Sequence, residues 1–184
     1  MKRALVVSVL ISFVFSGVAL ALDFSADMVS TSKEGSFTGK IFAAKDKIRM
    51  ETARSVTITR MDKNVAWVIM PEQKMYMEQP FDPEKIAGAT EKMPGEIERT
   101  LVGHDTIDGR AADKYRIVYQ SNEVRATVFQ WVELTSGIPL KTAAEDGSWS
   151  MEYKNLVVGA QSDSLFEIPA GYAKFVMPKM ADVM

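Results

Sequence analysis

The chain has no cysteine and a single histidine among its 184 residues. The first absence removes disulfides, thiolate metal sites and cysteine nucleophiles, so the fold must stand on its packed core alone. The second removes histidine clusters, and with them most zinc chemistry. Basic residues do not gather either: 22 Lys and Arg stand against 24 Asp and Glu, with no basic run interleaved with aromatics. A slightly acidic surface does not attract polyanions, which speaks against nucleic acid as a partner. Repeats, low-complexity tracts and internal linkers are also missing.

What is present begins with Met1-Lys2-Arg3, followed by an apolar run from Ala4 to about Val18 that closes on Ala19-Leu20-Ala21. This is the layout of a secretory signal with cleavage after Ala21, and it directs the chain to the periplasm. Counted to Leu22, the run is close to the roughly 20 residues that cross a bilayer, so retention as an anchor is the alternative. Without cysteine the mature chain carries no lipid on an N-terminal thiol. Lys2 and Arg3 leave with the signal and no acid does, so 20 basic and 24 acidic side chains remain, a formal charge of −4. Removing 21 of 184 residues leaves 163, which suits one domain. We expect that domain over residues 22–177, with 178–184 as a tail.

The mature chain alternates short apolar runs with turn-forming residues, an all-β rhythm. Strands are expected at about Asp23 to Thr31, Ser36 to Ala43, Lys47 to Glu51, Ser55 to Met61, Val65 to Met70 and Met75 to Glu78. They resume at Glu98 to Val102, Asp113 to Tyr119, Glu123 to Glu133, Pro139 to Ala144 and Trp149 to Val157, about eleven in all. Lys33-Glu34-Gly35, Lys45-Asp46-Lys47, Asp62-Lys63-Asn64 and Pro71 to Lys74 are short enough to join adjacent antiparallel strands, which makes a meander. Between Pro80 and Gly95 the grammar changes. Asp82 can cap a helix, Pro83 suits its first turn, and Ile86, Ala89 and Met93 recur at helical spacing. Gly88 and Thr90 weaken that helix, so it must lean on the sheet through Ile86 and Met93.

Alternation within the strands gives one buried and one wet face. Phe24, Ala26 and Met28 share a side, as do Phe37 and Ile41, Val56 and Ile58, and Tyr115, Ile117 and Tyr119. Val65 to Met70 is apolar on both sides and needs cover on both, as a central strand under the helix would have. A single sheet this wide must curl around its apolar side. Of the 12 methionines, Met28, Met50, Met61, Met70, Met75, Met77, Met93 and Met151 fall in or beside it. Flexible thioethers suit a pocket for variable apolar ligands, and they equally fill irregular gaps in a solid core. The candidate lining residues are Phe37, Ile41, Met50, Ile58, Trp67, Ile69, Met75, Met77 and Ile117, with Ile86 and Met93 on the lid.

Several segments together resemble a known group. Trp131 to Lys141, with Gly137-Ile138-Pro139-Leu140, then Tyr153-Lys154-Asn155-Leu156, then Leu165 to Tyr172, are similar to the C-terminal half of the outer-membrane lipoprotein carrier superfamily. Gly39-Lys40-Ile41-Phe42, Lys47 to Glu51, Asp62-Lys63-Asn64 before Trp67, and Pro71 ahead of Tyr76 follow that superfamily's order. The spacing from Ile107-Asp108-Gly109-Arg110 to Tyr115 most resembles its DUF4412 group. The resemblance implies a mainly β fold: a strongly curved, half-open antiparallel barrel with a short helical lid over an apolar cavity that takes acyl chains. The carriers also use an arginine on the strand after the Gly-Lys-Ile segment; Arg49 lies close, in a Lys-x-Arg-x-Glu alternation that reads equally as a solvated face.

No constellation points to catalysis. His104 lies in Val102-Gly103-His104-Asp105, a turn-like context, and no serine nucleophile motif accompanies it. Asp105, Asp108 and Asp113 lack the compact spacing of a calcium loop, so no metal or other cofactor is expected. The expected function is that of a monomeric, non-enzymatic periplasmic protein that holds an acyl chain or lipidated protein, with transient membrane contact. The alternative is a sensor or scaffold that uses the same sheet to bind a protein partner. Protein recovered from an exporting host is expected to begin at Leu22 on N-terminal sequencing and to fractionate with the periplasm; intact Met1 in washed membranes would assign the apolar run to an anchor.

Overall fold

A computed structural model describes residues 22–81, 93, 95–121 and 124–175. The signal segment, the 178–184 tail, Ile86 and most of the expected helix lie outside the described residues.

Two antiparallel meanders build one sheet. The first contains β1 (Phe24–Ser32), β2 (Gly35–Ala44), β3 (Lys47–Glu51), β4 (Val56–Arg60), β5 (Val65–Met70) and β6 (Met75–Pro80). The second contains β7 (Glu96–Ile107), β8 (Arg110–Ser121), β9 (Val124–Glu133), β10 (Pro139–Ala144) and β11 (Trp149–Val158). Strand β1 pairs with both β2 and β11 and so welds the two meanders together. A twelfth strand, β12 (Ala173–Lys174), runs parallel to β6, giving the order β12-β6-β5-β4-β3-β2-β1-β11-β10-β9-β8-β7. Among the described residues β12 and β7 remain unpaired on their outer sides, so the curved sheet is open.

The turns explain the registers. Asp46 and Asn64 adopt the left-handed conformation that a tight reversal demands and that Asp and Asn tolerate. Asp108 and Gly109 both have positive φ, which makes a two-residue hairpin matched to strand twist. That hairpin corrects the reading of His104 as a turn residue. Strands β7 and β8 run unbroken to Ile107 and Arg110, and Gly103 marks a bulge inside β7 where pairing skips from Leu101. His104 is an exposed strand residue whose Nδ1 lies 2.7 Å from Asp113 Oδ1.

Directly paired residues share a face, so the registers sort the side chains. One row runs Ala26–Ile41–Met50–Thr57–Val68–Met77, and Met28 lies on the same side. The other runs Phe42–Arg49–Ile58–Trp67–Glu78. We call these the Met28 face and the Trp67 face. On the Met28 face, Phe24, Ala26, Met28, Ile41, Ala43, Ile48 and Tyr153 form a buried core. On the Trp67 face, Ala44, Ile58, Trp67 and Ile69 form a second core, completed by Phe166.

Phe166 comes from the segment after β11, which returns as a strap across the Trp67 face. A 3-10 turn at Asp163–Phe166 inserts the ring, Leu165, Ile168 and Tyr172 pack around it, and β12 fastens the end to the edge of β6. The cover that β5 needs on this face is therefore the strap, and β5 stands two strands from the strap's edge strand instead of at the centre. Arg60, buried at the end of β4, grips Asp62 with two hydrogen bonds of 2.8 and 2.7 Å and donates to the Phe166 carbonyl at 3.1 Å and to Glu167. Arg49 donates to the Leu165 carbonyl at 2.8 Å, Lys47 pairs with Asp163, and Lys63 with Glu167. The Lys47–Arg49–Glu51 alternation is thus a row that holds the strap and not a freely solvated face.

Two outcomes follow from the strap. Trp67→Ala or Phe166→Ala should each destabilise the fold by about 3–5 kcal/mol in denaturant melts, the range for large aromatics removed from cores. The second concerns acid. Hydrogen bonding to Arg60 holds the Asp62 carboxyl below its ordinary 3.8; for Glu167 burial pushes up, but Arg60 and Lys63 outweigh it and hold the group below 4.5. Carboxyls lowered by folding stabilise above their unfolded values, and that contribution is lost as pH falls through the lowered ones. Glu167→Gln should therefore lower the melting temperature at pH 7 and flatten its decline below about pH 4.5 relative to the unsubstituted chain.

Candidate functional site

The strap closes one face, so an apolar binding surface has to be sought on the other. Along the Met28 row, Ala26 and Ile41 are buried, whereas Met50, Thr57, Val68 and Met77 are only half-buried. The neighbouring Ala66, Met70 and Met75 are half-buried as well. The Met28 face is thus sealed at β1 and β2 and half-buried from Met50 to Met77, as a strip of methionine, valine and alanine with Thr57 and Thr59 in its middle. Gly39 at the sealed end has no room for a side chain: a Cβ there would lie 2.4 Å from the Glu51 carbonyl oxygen and 3.4 Å from the Met28 methyl.

The other flank of the same face is reached through β11, β10 and β9, whose registers place Tyr153, Thr142, Gln130 and Ile117 on it. Met93 is buried here against Ile117 and Val128, with Tyr115, Tyr119 and Trp149 around it. Its backbone N–H donates to Glu96 at 2.9 Å, and the same carboxylate takes two hydrogen bonds from Arg99, each 2.9 Å. Arg99 further donates to Gln130 at 3.2 Å and lies 5.2 Å from the Tyr115 ring centre. Burial, helped by Asp113, pushes the Tyr115 hydroxyl up, so this cluster stays neutral or internally paired at physiological pH.

The nine sequence-derived lining residues do not share one surface. Phe37, Ile41, Met50, Met75, Met77 and Ile117 fall on the Met28 face, and Met93 joins them. Ile58, Trp67 and Ile69 fall on the Trp67 face, inside the core under the strap. Alternation within each strand is visible in the sequence; the inversion between β3 and β4 is not, because Met50 and Ile58 look alike until the register pairs Met50 with Thr57. Val68 and Ala66 escape sequence reasoning for the same reason.

An open groove of about 660 Å³ lies elsewhere, lined among others by Leu22, Arg110, Glu133, Ser136, Val157 and Val158. None of the nine candidates lines it. Burial pushes the Glu133 carboxyl up, but hydrogen bonds from Ser136 and Arg110 outweigh that and hold it below its usual value. Among the described residues there is no group of three or more His, Cys, Asp and Glu placed to hold a metal, and no helix long and apolar enough to cross a membrane.

Solved structures place this architecture among known proteins. A chain of the MucA/MucB complex of Pseudomonas aeruginosa superposes with a TM-score of 0.56 at 16% identity, covering 83% of this chain and 57% of that one. LprF from Mycobacterium bovis gives 0.49 at 13% identity, covering 84% and 91%. A LolA superfamily protein from Nitrosomonas europaea gives 0.36 at 10% identity, covering 79% and 90%. At such identities the MucA/MucB likeness is one of fold, and this chain spans little more than half of that protein's length. No curated protein matches the chain in sequence. The family model described as a domain of unknown function, DUF4412, matches residues 25–132, more than half of the chain, from β1 into β9. The chain belongs to the DUF4412 family.

Proposed function

We propose that the chain is a non-enzymatic binding protein of the periplasm, acting as one unit over residues 22–177, and that it holds an acyl chain or the lipid of a lipidated protein against the open strip of the Met28 face. The observation that carries this is the row Met50–Thr57–Val68–Met77, which continues a buried core outward as half-buried surface. Unbranched thioethers adapt to ligands of different shape, and half-buried apolar area gains when a ligand completes its cover. A secretory signal supports the location. No cofactor is called for.

A second reading has one specific support. The Pseudomonas aeruginosa structure that shares this fold is a complex of two proteins, MucA and MucB; in that reading the strip receives a polypeptide. The two are separated by an environment-sensitive apolar dye. A lipid-holding strip should bind it with an affinity of about 1 μM, equivalent to about −8 kcal/mol, and lipid extraction with mass spectrometry should find a bound amphiphile. Val68→Asp should abolish dye binding while the melt stays cooperative, because Val68 is only half-buried. A chain that binds neither dye nor lipid would belong to the polypeptide reading.

A further inference from the structure

Two hydroxyls break the apolar core of the Met28 face. Tyr153 on β11 is 6% exposed and Thr142 on β10 is 5% exposed. The Tyr153 ring stands 6.0 Å from that of Phe24, in a core that also holds Met28 and Leu140. Thr142 pairs with Met151 and Gln130, which sets it diagonally from Tyr153 on the same face, with backbones roughly 7–8 Å apart. Among the described residues neither hydroxyl has a hydrogen-bond partner. A hydroxyl withdrawn from water without a partner destabilises a fold, so two of them side by side call for a reason. Nor is either one shut in. No described side-chain nitrogen or oxygen that is closed off from solvent lacks a hydrogen bond, so each of these oxygens keeps an opening through which a ligand atom can reach it.

The surroundings decide which chemistry fits. The charged pair beside Gln130 is matched internally, since Arg99 donates twice to Glu96 and once to Gln130. An ionised head group placed here would be buried without a counter-charge, a cost that one hydroxyl bond does not offset. An uncharged carbonyl oxygen suits the pair, because both hydroxyls donate. Burial pushes the Tyr153 hydroxyl above its ordinary range, so it keeps its proton. The pair also adjoins the strip. Met50, where the strip begins, packs against the core that contains Tyr153. Three strand spacings separate β3 from β11, about 14 Å, within the reach of a long acyl chain. Met28 pairs with Tyr153 and lies between, its methyl 3.4 Å from the place a Cβ on Gly39 would take, and its flexible side chain can repack. We infer that the Tyr153 and Thr142 hydroxyls form a hydrogen-bonding subsite for the carbonyl of an acyl ester whose chain lies on the strip, in preference to the carboxylate of a free fatty acid. The inference rests on the reading of the strip as an acyl-chain surface.

Tyr153→Phe and Thr142→Val each remove one oxygen and keep the shape of the side chain. The unsubstituted chain and both variants are titrated with a monoacylglycerol, with the ionised fatty acid of the same chain length, and with the apolar dye of the strip. The unsubstituted chain should bind the ester more tightly than the acid. Each variant should weaken ester binding by about five- to tenfold, the worth of one neutral hydrogen bond, while dye binding stays unchanged. Both should melt no lower than the unsubstituted chain, because an oxygen without a partner holds nothing in place. A diacylated lipopeptide, titrated alongside, tells an ester on a lipid-modified polypeptide from one on a free glyceride, and the variants should weaken whichever of the two binds. Unchanged ester binding in both variants would reduce the pair to hydrated hydroxyls and overturn the proposal. So would equal binding of ester and acid, or melting temperatures lowered by several degrees in both variants. These failures leave dye binding intact, whereas failure of the strip reading shows as an unsubstituted chain that binds neither dye nor ester.

Discussion

Arg60 is a full charge buried on the face that carries Ile58, Trp67 and Ile69, and such a group persists only where each of its nitrogens finds an acceptor. Its guanidinium meets that condition by reaching both oxygens of Asp62, the Phe166 carbonyl and the Glu167 carboxylate. Two of these partners lie more than a hundred positions later in the sequence. The charge therefore fixes where the C-terminal strap crosses the sheet, and the strap carries in Phe166, the ring that completes the second core. The pairing with Asp62 is bidentate, which specifies orientation as well as proximity.

Everything about the two faces follows from that closure. Without a strap, β4 and β5 would expose Ile58, Trp67 and Ile69, since the core on the Met28 face has no reach through the sheet. With it, the core on the Met28 face and the core on the Trp67 face lie back to back and meet at β2. There Ala43 is buried in one core and its neighbour Ala44 in the other. Beyond β3 the Met28-face residues Thr57, Val68 and Met77 are only half-buried while the Trp67 face is covered by the strap, and the strip proposed for binding begins at that crossover.

Most of the strands are legible in the sequence because each alternates by itself, and turn residues such as Asn64 and Gly147 mark their ends. The long hairpin of β7 and β8 is legible only in part: Gly103 looks like a reversal, but glycine within a strand also marks a bulge, and here it does. The strap is invisible to periodicity, since a single 3-10 turn and a two-residue parallel strand leave no repeat to detect. The site is half legible for a related reason. Alternation tells which residues of one strand lie together, but which face of one strand adjoins which face of the next is decided by register, and a one-residue change in register exchanges the faces.

The two faces of β4 differ in composition in a way that bears on the proposed strip. Its strap-side positions carry Val56 and Ile58, while its Met28-side positions, equally central to the strand, carry Thr57 and Thr59. Threonine matches valine in shape and in preference for extended backbone, but its hydroxyl suits a surface that water reaches. A strand meant for a dry core on both sides would hold aliphatic residues at all four positions. Methionines on β3, β5 and β6 flank these threonines with side chains that can repack. Such a composition fits the proposed strip, which would stand in water when empty and be covered when occupied, a combination that a core does not need and a reversible binding surface does.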